Sequence, residues 1–287
     1  MSSARPPLFD FAAAAKARAR AARLAGDRFL DAAAIEGLAD RLAAVTRKFS
    51  HGLWIGTAVP QPLAFAAQHW TFVDFDQNEI LDAQGAHDVA VSLFSLQAVN
   101  DLPGALVQVR RALKPDGLFV AALLGGATLG ELRDAFAHAE TATRGGLSPR
   151  VSPFADVRDM GGLLQRAGFA LPVADVERLT VRYADFFALV RDLRAHGFTN
   201  VLSQRSRAPL RRDTLAALLA HYRAHHADGD GKLRARFETL YLTGWAPHES
   251  QQQPLKPGSA TARLADALGT VETKVDETAI SALSKPA

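Results

Sequence analysis

The chain has 287 residues, 48% of them apolar, enough for one large α/β domain with embellishments or two small ones. A net charge of +3, despite a pI near 9.4, argues against a general nucleic-acid binder. There is no cysteine, which excludes disulfides, thiolate metal ligation and a cysteine nucleophile and suits a reducing cytoplasm. No apolar run approaches the roughly 18 residues of a membrane span.

Residues 9–45 read as two helices broken near Gly26-Asp27, the second striped by Leu30, Ile35, Leu38, Leu42 and Val45. Residues 1–24 carry Asp10 as their single acid and are read as a surface helix of the mature protein rather than a presequence. His51 to Gly56 is a strand that ends in glycine, Pro60 and Pro62 open a short helix around Leu63 to Ala67, and Trp70 to Phe75 is the next strand.

Two short apolar runs follow, Asp88 to Leu93 and Gly117 to Leu124, with Leu102, Leu106, Val109 and Leu113 at helical spacing between them. Continuous apolar strands around one helix predict a parallel sheet covered on both faces. Lys114-Pro115-Asp116-Gly117 ends the helix in a tight reversal. Thr128-Leu-Gly-Glu131 has the spacing of a capping box, and its helix buries Leu129, Leu132, Phe136 and Ala139. The breaker-rich stretch from Gly145 to Pro153 is a loop, and Ser152-Pro153 suits entry into a helix that buries Val157, Met160, Leu164 and Ala167. Val173 to Tyr183 and Ala235 to Gly244 are read as antiparallel edge strands, with helices around 185–196 and 210–226 between them. The predicted organisation is N-terminal helices over 1–48, an α/β domain over 49–250 with a helical insertion at about 184–230, and a loop with a disordered tail over 251–287.

Open α/β sheets bind ligands beyond the carboxyl ends of their strands. Those ends are Gly56-Thr57, Asp74/Asp76, Ser92 to Asp101 and Gly125-Gly126. An adenosyl cofactor would lie there, with a glycine turn after the first strand and a ribose-binding carboxylate after the second.

The segments DVAVSLFSLQAVNDLPGAL, LKPDGLF, GGATLGELR, GGLSPRVSPFADVRDMGGLLQRAGF and FETLYLTGWAPHESQQQPLKPGSA resemble the class I S-adenosylmethionine methyltransferase-like proteins of the complex I assembly factor 5 group. The resemblance covers roughly residues 8–260. It implies a class I Rossmann-like sheet with an antiparallel last strand and S-adenosylmethionine as cofactor. It also implies a role in respiratory complex I assembly on a protein subunit, by methylation or by the arginine hydroxylation reported for the eukaryotic branch. The implied location is the cytoplasm for a bacterial chain and the mitochondrial matrix for a eukaryotic one. An alternative is a catalytically silent member that chaperones a client through residues 145–155 and 244–259. Implied cofactor contacts are Gly56, Asp76, Ile80, Ser92 and Leu93; implied substrate contacts are Asn100, Asp101, Gly125, Gly126, Arg150 and Trp245.

Departures from the group's pattern shape these expectations. Trp54 stands where the first motif has an acid, Ala58 and Pro60 replace glycines, and Ala98 stands where the group has tryptophan. Only eleven residues separate Asp76 from Asp88, too few for the usual helix and strand, so about six strands are expected rather than seven, with a shallow or lost cofactor pocket. Each candidate also has a plainer reading: Gly56 as a turn glycine, Asp76 as a solvated strand end, Asn100 and Asp101 as helix caps, Arg150 as the partner of a nearby acid, Trp245 as packing. His221 and His225 share a helix face with Asp228 just beyond, and two histidines with a carboxylate suit non-haem iron. But Asp228 to Gly231 reads as a loop and no glycine turn or buried setting positions the trio, so no metal is expected. Arg205, Arg207, Arg211 and Arg212 are read as a solvated basic face.

Overall fold

The computed structural model describes residues 6–24, 26–56, 60–252, 266 and 268–270. The turn residues Thr57, Ala58 and Val59 and nearly all of the expected tail lie outside these. Contacts divide the chain into a unit of residues 1–248 and a second of residues 249–287; the elements below belong to the first.

In chain order they are α1 (Phe11–Ala21), α2 (Phe29–Ala43), β1 (His51–Ile55), a 3-10 turn (Gln61–Ala66), β2 (His69–Val73), β3 (His87–Leu93), a 3-10 turn (Ser95–Ala98), α3 (Leu102–Ala112), β4 (Leu113–Leu124), α4 (Gly130–Arg144), α5 (Val157–Arg166), β5 (Ala170–Tyr183), α6 (Phe186–Ala195), α7 (Arg212–His226) and β6 (Leu233–Trp245). They form one six-stranded sheet in the order β2-β1-β3-β4-β6-β5. The first four strands are parallel, and β6 inserts antiparallel between β4 and β5. This is the class I methyltransferase-like Rossmann arrangement, with six strands as the short Asp76–Asp88 spacing implies. The sheet ends at β2, and residues 74–86 form neither strand nor helix.

Both faces are covered, which is why Val89 to Val91 of β3 and Leu118 to Leu124 of β4 are continuously apolar. On one face Leu53, Ile55, Ala90, Phe119 and Ala121 meet Leu106, Val109 of α3 and Met160, Leu164 of α5. On the other, Trp54, Val89, Val91, Val120 and Ala122 meet Leu38 and Leu42 of α2. A third cluster joins α4, α6 and α7 to the outer ends of β5 and β6 through Leu132, Leu189, Leu218, Tyr222 and Phe237.

Three local expectations are corrected. Helix α3 stops at Ala112, and Leu113 already pairs with His87; the reversal survives as an irregularity inside β4, with Asp116 at φ 61. The capping box does not form: α4 starts behind Leu129 at φ 56, while Thr128 Oγ1 accepts from Glu238 N at 3.0 Å and Glu131 accepts from Arg236 N at 3.1 Å. Both side chains tie the helix start to β6, where backbone donors compete better than those of the helix itself. Helix α5 begins after Asp156, whose carboxylate accepts from Arg158 N, rather than at Ser152-Pro153.

Candidate functional site

The carboxyl ends of β1, β2, β3 and β4 open onto a cavity of about 1020 Å³. Trp54, Gly56, Asp74, Leu93 and Leu124 form its floor. Helices α1 and α2 form one wall through Arg18, Asp31 and Ile35; α6 and the chain after it form another through Arg194, His196 and Phe198. Residues Arg150 to Ser152 and Phe154 close a third side.

The floor is tightly knitted. Ser95 Oγ donates to Ile55 O at 2.7 Å, and Leu124 N donates to Gln97 Oε1 at 2.5 Å, so the 3-10 turn after β3 links the ends of β1 and β4. Gly56 has φ +145, and a Cβ there would stand 2.8 Å from Trp54 Nε1; the position requires glycine. Trp54 is buried and packs edge-on against Trp70 with centroids 6.4 Å apart.

The charged wall groups are mostly paired. Arg18 lies 3.8 Å from Asp74, Arg28 pairs with Asp31, and Arg150 pairs with the buried Glu140 at 2.7 Å. Arg194 makes no ion pair among the described residues. Burial works to raise the Glu140 carboxyl, but two bonds from Ser148 and the Arg150 guanidinium outweigh it and hold it below its usual range. His196 is buried; neither ring nitrogen is in hydrogen-bond geometry, and Nδ1 stands 3.5 Å from Asp31 Oδ1. Its ring stacks on Phe198 at 5.7 Å. Burial of Asp31 is likewise outweighed by His196 and Arg28, and its carboxyl is held low.

Of the expected contacts, Gly56, Leu93 and Arg150 line this cavity. Asp76 does not: its Oδ1 accepts from Asn78 N and Ile80 N, both at 2.8 Å, which closes a turn and lowers its pKa. Asp74, two residues earlier, is the carboxylate on the floor. Ile80 is exposed, and the loop that holds it is stitched to the start of α3, where Glu79 accepts from Asn100 N and Asp101 N at 2.7 and 2.8 Å. Ser92 is buried within the sheet with an unpartnered hydroxyl, away from the cavity lining.

Asp101 caps α3, accepting from Gly104 N at 2.9 Å. Asn100 grips the N-terminal segment instead of facing the cavity: Phe9 N donates to its Oδ1 at 2.8 Å and Nδ2 donates to Phe9 O at 3.3 Å. Phe9 also bridges to Leu202 and lines the cavity, so Asn100 shapes the wall through it. Gly125 is glycine for packing reasons, since a Cβ would meet Glu238 Oε1 at 2.5 Å. Gly126 lines an adjoining cavity of about 550 Å³ with Pro149, Pro153 and Phe154. Trp245 lies at the opposite end of the sheet, because β6 runs antiparallel: it pairs with Leu118, whereas Thr239 pairs with Leu124 at the cavity. Two of the expected solvated arginines, Arg205 and Arg207, pair with Asp10 at the start of α1.

The sequence reading missed Asp31, His196 and Arg194. No spacing links them; α2 and α6 are brought together only by the fold.

Residues 8–172 match the model of a methyltransferase domain. The chain belongs to that family. Among similar proteins, arginine-hydroxylase NDUFAF5, mitochondrial, of Danio rerio is 41% identical over 183 residues, 64% of this chain and 57% of that protein. The Homo sapiens protein of the same name is 45% identical over 178 residues, 62% and 51%. Malonyl-[acyl-carrier protein] O-methyltransferase of Laribacter hongkongensis is 37% identical over 183 residues, 64% and 59%. The matched stretch thus spans only between half and three fifths of these relatives' length. Among solved structures, the YcgJ protein of Bacillus subtilis is similar with a TM-score of 0.49 at 11% identity, over 74% of this chain and 99% of that one. The family match ends before α6, so Arg194 and His196 fall outside it.

Proposed function

We propose that the cavity at the carboxyl ends of the parallel strands binds S-adenosylmethionine and that the chain modifies a protein client, a subunit of respiratory complex I during its assembly. The observation that carries this is the presence of Gly56 and Asp74 on one cavity floor, at the ends of β1 and β2. These are the strand ends at which an open α/β sheet binds a nucleoside. Gly56 lets backbone approach the ligand, and the Asp74 carboxylate can accept from ribose hydroxyls, displacing the 3.8 Å contact with Arg18. Bound there, the cofactor would supply an electrophilic methyl group on its sulfonium.

At about 1020 Å³ the cavity is at the upper end of the roughly 300–1,000 Å³ of small-molecule sites, which leaves room for an acceptor side chain beside the cofactor. Arg194 is suited to a carboxylate of cofactor or client. His196, packed between Phe29 and Phe198 with Nδ1 toward Asp31, supports this wall from behind, both ring nitrogens being covered. The relatives' names offer two acceptor chemistries: an arginine that is hydroxylated on one side, and a malonyl group on an acyl-carrier protein that is O-methylated on the other. In this reading residues 1–48 and the insertion at about 184–230 form the client-facing walls. The location follows the source: cytoplasm in a bacterium, mitochondrial matrix in a eukaryote, as in the relatives named mitochondrial. No helix among the described residues is long and apolar enough to cross a membrane.

A second reading, a silent client-binding protein, is favoured by Trp54, whose buried indole stands on the floor where the first motif has an acid. Calorimetric titration with S-adenosylmethionine and S-adenosylhomocysteine separates the two. The first reading expects binding that Asp74→Asn weakens by about tenfold or more, the value of a lost charge-assisted hydrogen bond, and that Asp76→Asn leaves alone. No binding at millimolar ligand would leave the silent reading standing.

A further inference from the structure

The geometry points to a site for a divalent transition-metal ion formed by Asp134 of α4 with His221 and His226 of α7, outside the cavity and clamping the two helices. His221 Nε2 and His226 Nε2 converge on the same oxygen, Asp134 Oδ2, at 2.7 and 2.8 Å. The three ligand atoms lie within 4.8 Å of one another. Two imidazoles and a carboxylate are a donor set for zinc-like ions. With metal–ligand distances of about 2.0–2.2 Å, tetrahedral ligand–ligand edges come to roughly 3.4 Å, so the carboxylate oxygen need draw back from each imidazole by only about 0.6 Å to admit an ion.

The surroundings favour a cation. His226 is the last residue of α7, and the free carbonyls of a helix C-terminus attract positive charge. The helices run antiparallel, with Thr143 meeting Thr214 at 2.8 Å at the other end of the pair, so the site closes the open end of this packing. The rings are already organised: His138 stacks on His221 with centroids 4.2 Å apart, and His225 lies 4.3 Å from it. Four of the chain's nine histidines therefore meet at this place. Both ligand histidines are largely covered, at 12% and 20% side-chain exposure, while Asp134, at 55%, leaves a path and room for water ligands.

The sequence singled out a different trio. Asp228 is excluded by its own partners, Arg182 at 2.6 Å and Arg234 at 3.5 Å, and Asp134, 87 residues before His221, takes its place. None of the three ligands lines either cavity, so the ion would brace the α4–α7 wall rather than take part in chemistry on the floor.

The test is calorimetric titration of zinc chloride into the untagged full-length chain, repeated with cobalt chloride and read by visible absorption. One ion per chain is expected, with cobalt bands that zinc removes. His221→Ala, His226→Ala and Asp134→Asn should each weaken binding by at least about tenfold; His225→Ala, outside the trio, should keep it. Absence of binding, or binding unchanged in the three ligand variants with intact circular dichroism, would overturn the site. So would an equal loss in His225→Ala.

Discussion

Replacing Arg150 by alanine isolates a buried charge. Glu140 has 1% side-chain exposure and Arg150 13%, with 2.7 Å between guanidinium and carboxylate. Breaking a buried pair by removing one partner costs about 3–5 kcal/mol, because the remaining ion is desolvated without its counter-charge. The lower end applies here: Ser148 still donates through N at 2.6 Å and Oγ at 2.6 Å, and Arg144 stands 3.4 Å away. Urea unfolding at pH 7 should therefore show Arg150→Ala less stable by about 3 kcal/mol. The charge-free pair Glu140→Gln/Arg150→Met should recover most of that loss. The pH dependence has a defined sign. The folded Glu140 carboxyl titrates below its ordinary 4.5, so its contribution is full above that value and is lost as pH falls through the folded one. The gap between the native chain and Arg150→Ala should close in the same acid window. A loss under about 1 kcal/mol at pH 7, the range of exposed pairs, would refute the reasoning. Because Arg150 to Ser152 form one side of the cavity, ligand affinity should fall with stability.

Gly125→Ala should destabilise by about 1–3 kcal/mol in the same assay, since its Cβ would stand 2.5 Å from Glu238 Oε1 and 2.9 Å from Glu238 Cγ; a neutral result would mean that Glu238 moves freely. His196→Phe keeps the stack on Phe198 but takes from Asp31 one of the two groups that hold its carboxylate low, so stability should fall by about 1 kcal/mol at pH 7; an unchanged stability would show that Arg28 alone suffices. Asn100→Ala removes both bonds to Phe9, and hydrogen exchange at the Phe9 amide should accelerate by about tenfold, the equivalent of roughly 1.4 kcal/mol; unchanged exchange would show that the bridge to Leu202 alone holds the segment.

Much of the fold was legible because its signals are local. Val89 to Val91 and Leu118 to Leu124 are apolar at every step because both sheet faces are covered, and Leu106 and Val109 recur at the spacing that α3 buries. The short span from Asp76 to Asp88 left no room for another helix and strand, and the sheet ends at β2. Reading the site was harder. Asp74 and Asp76 are equally plausible in sequence; only the turn that consumes Asp76 Oδ1 separates them. Thr128 and Glu131 have capping-box spacing, yet β6 offers them backbone donors that the sequence cannot rank.

Periodicity and chain punctuation thus determined the α/β class and the covered parallel strands, since these depend on residues a few positions apart and on which faces must be buried. The count of six strands and the antiparallel last strand came from the family resemblance and the short Asp76–Asp88 span. Tertiary structure alone decided which groups meet. The antiparallel run of β6 carries Trp245 away from the cavity, the packing of α2 against the insertion brings Asp31 to His196, and the pairing of α4 with α7 brings Asp134 to two histidines. Side-chain encounters of this kind depend on the relative placement of whole elements, and no local pattern records that placement.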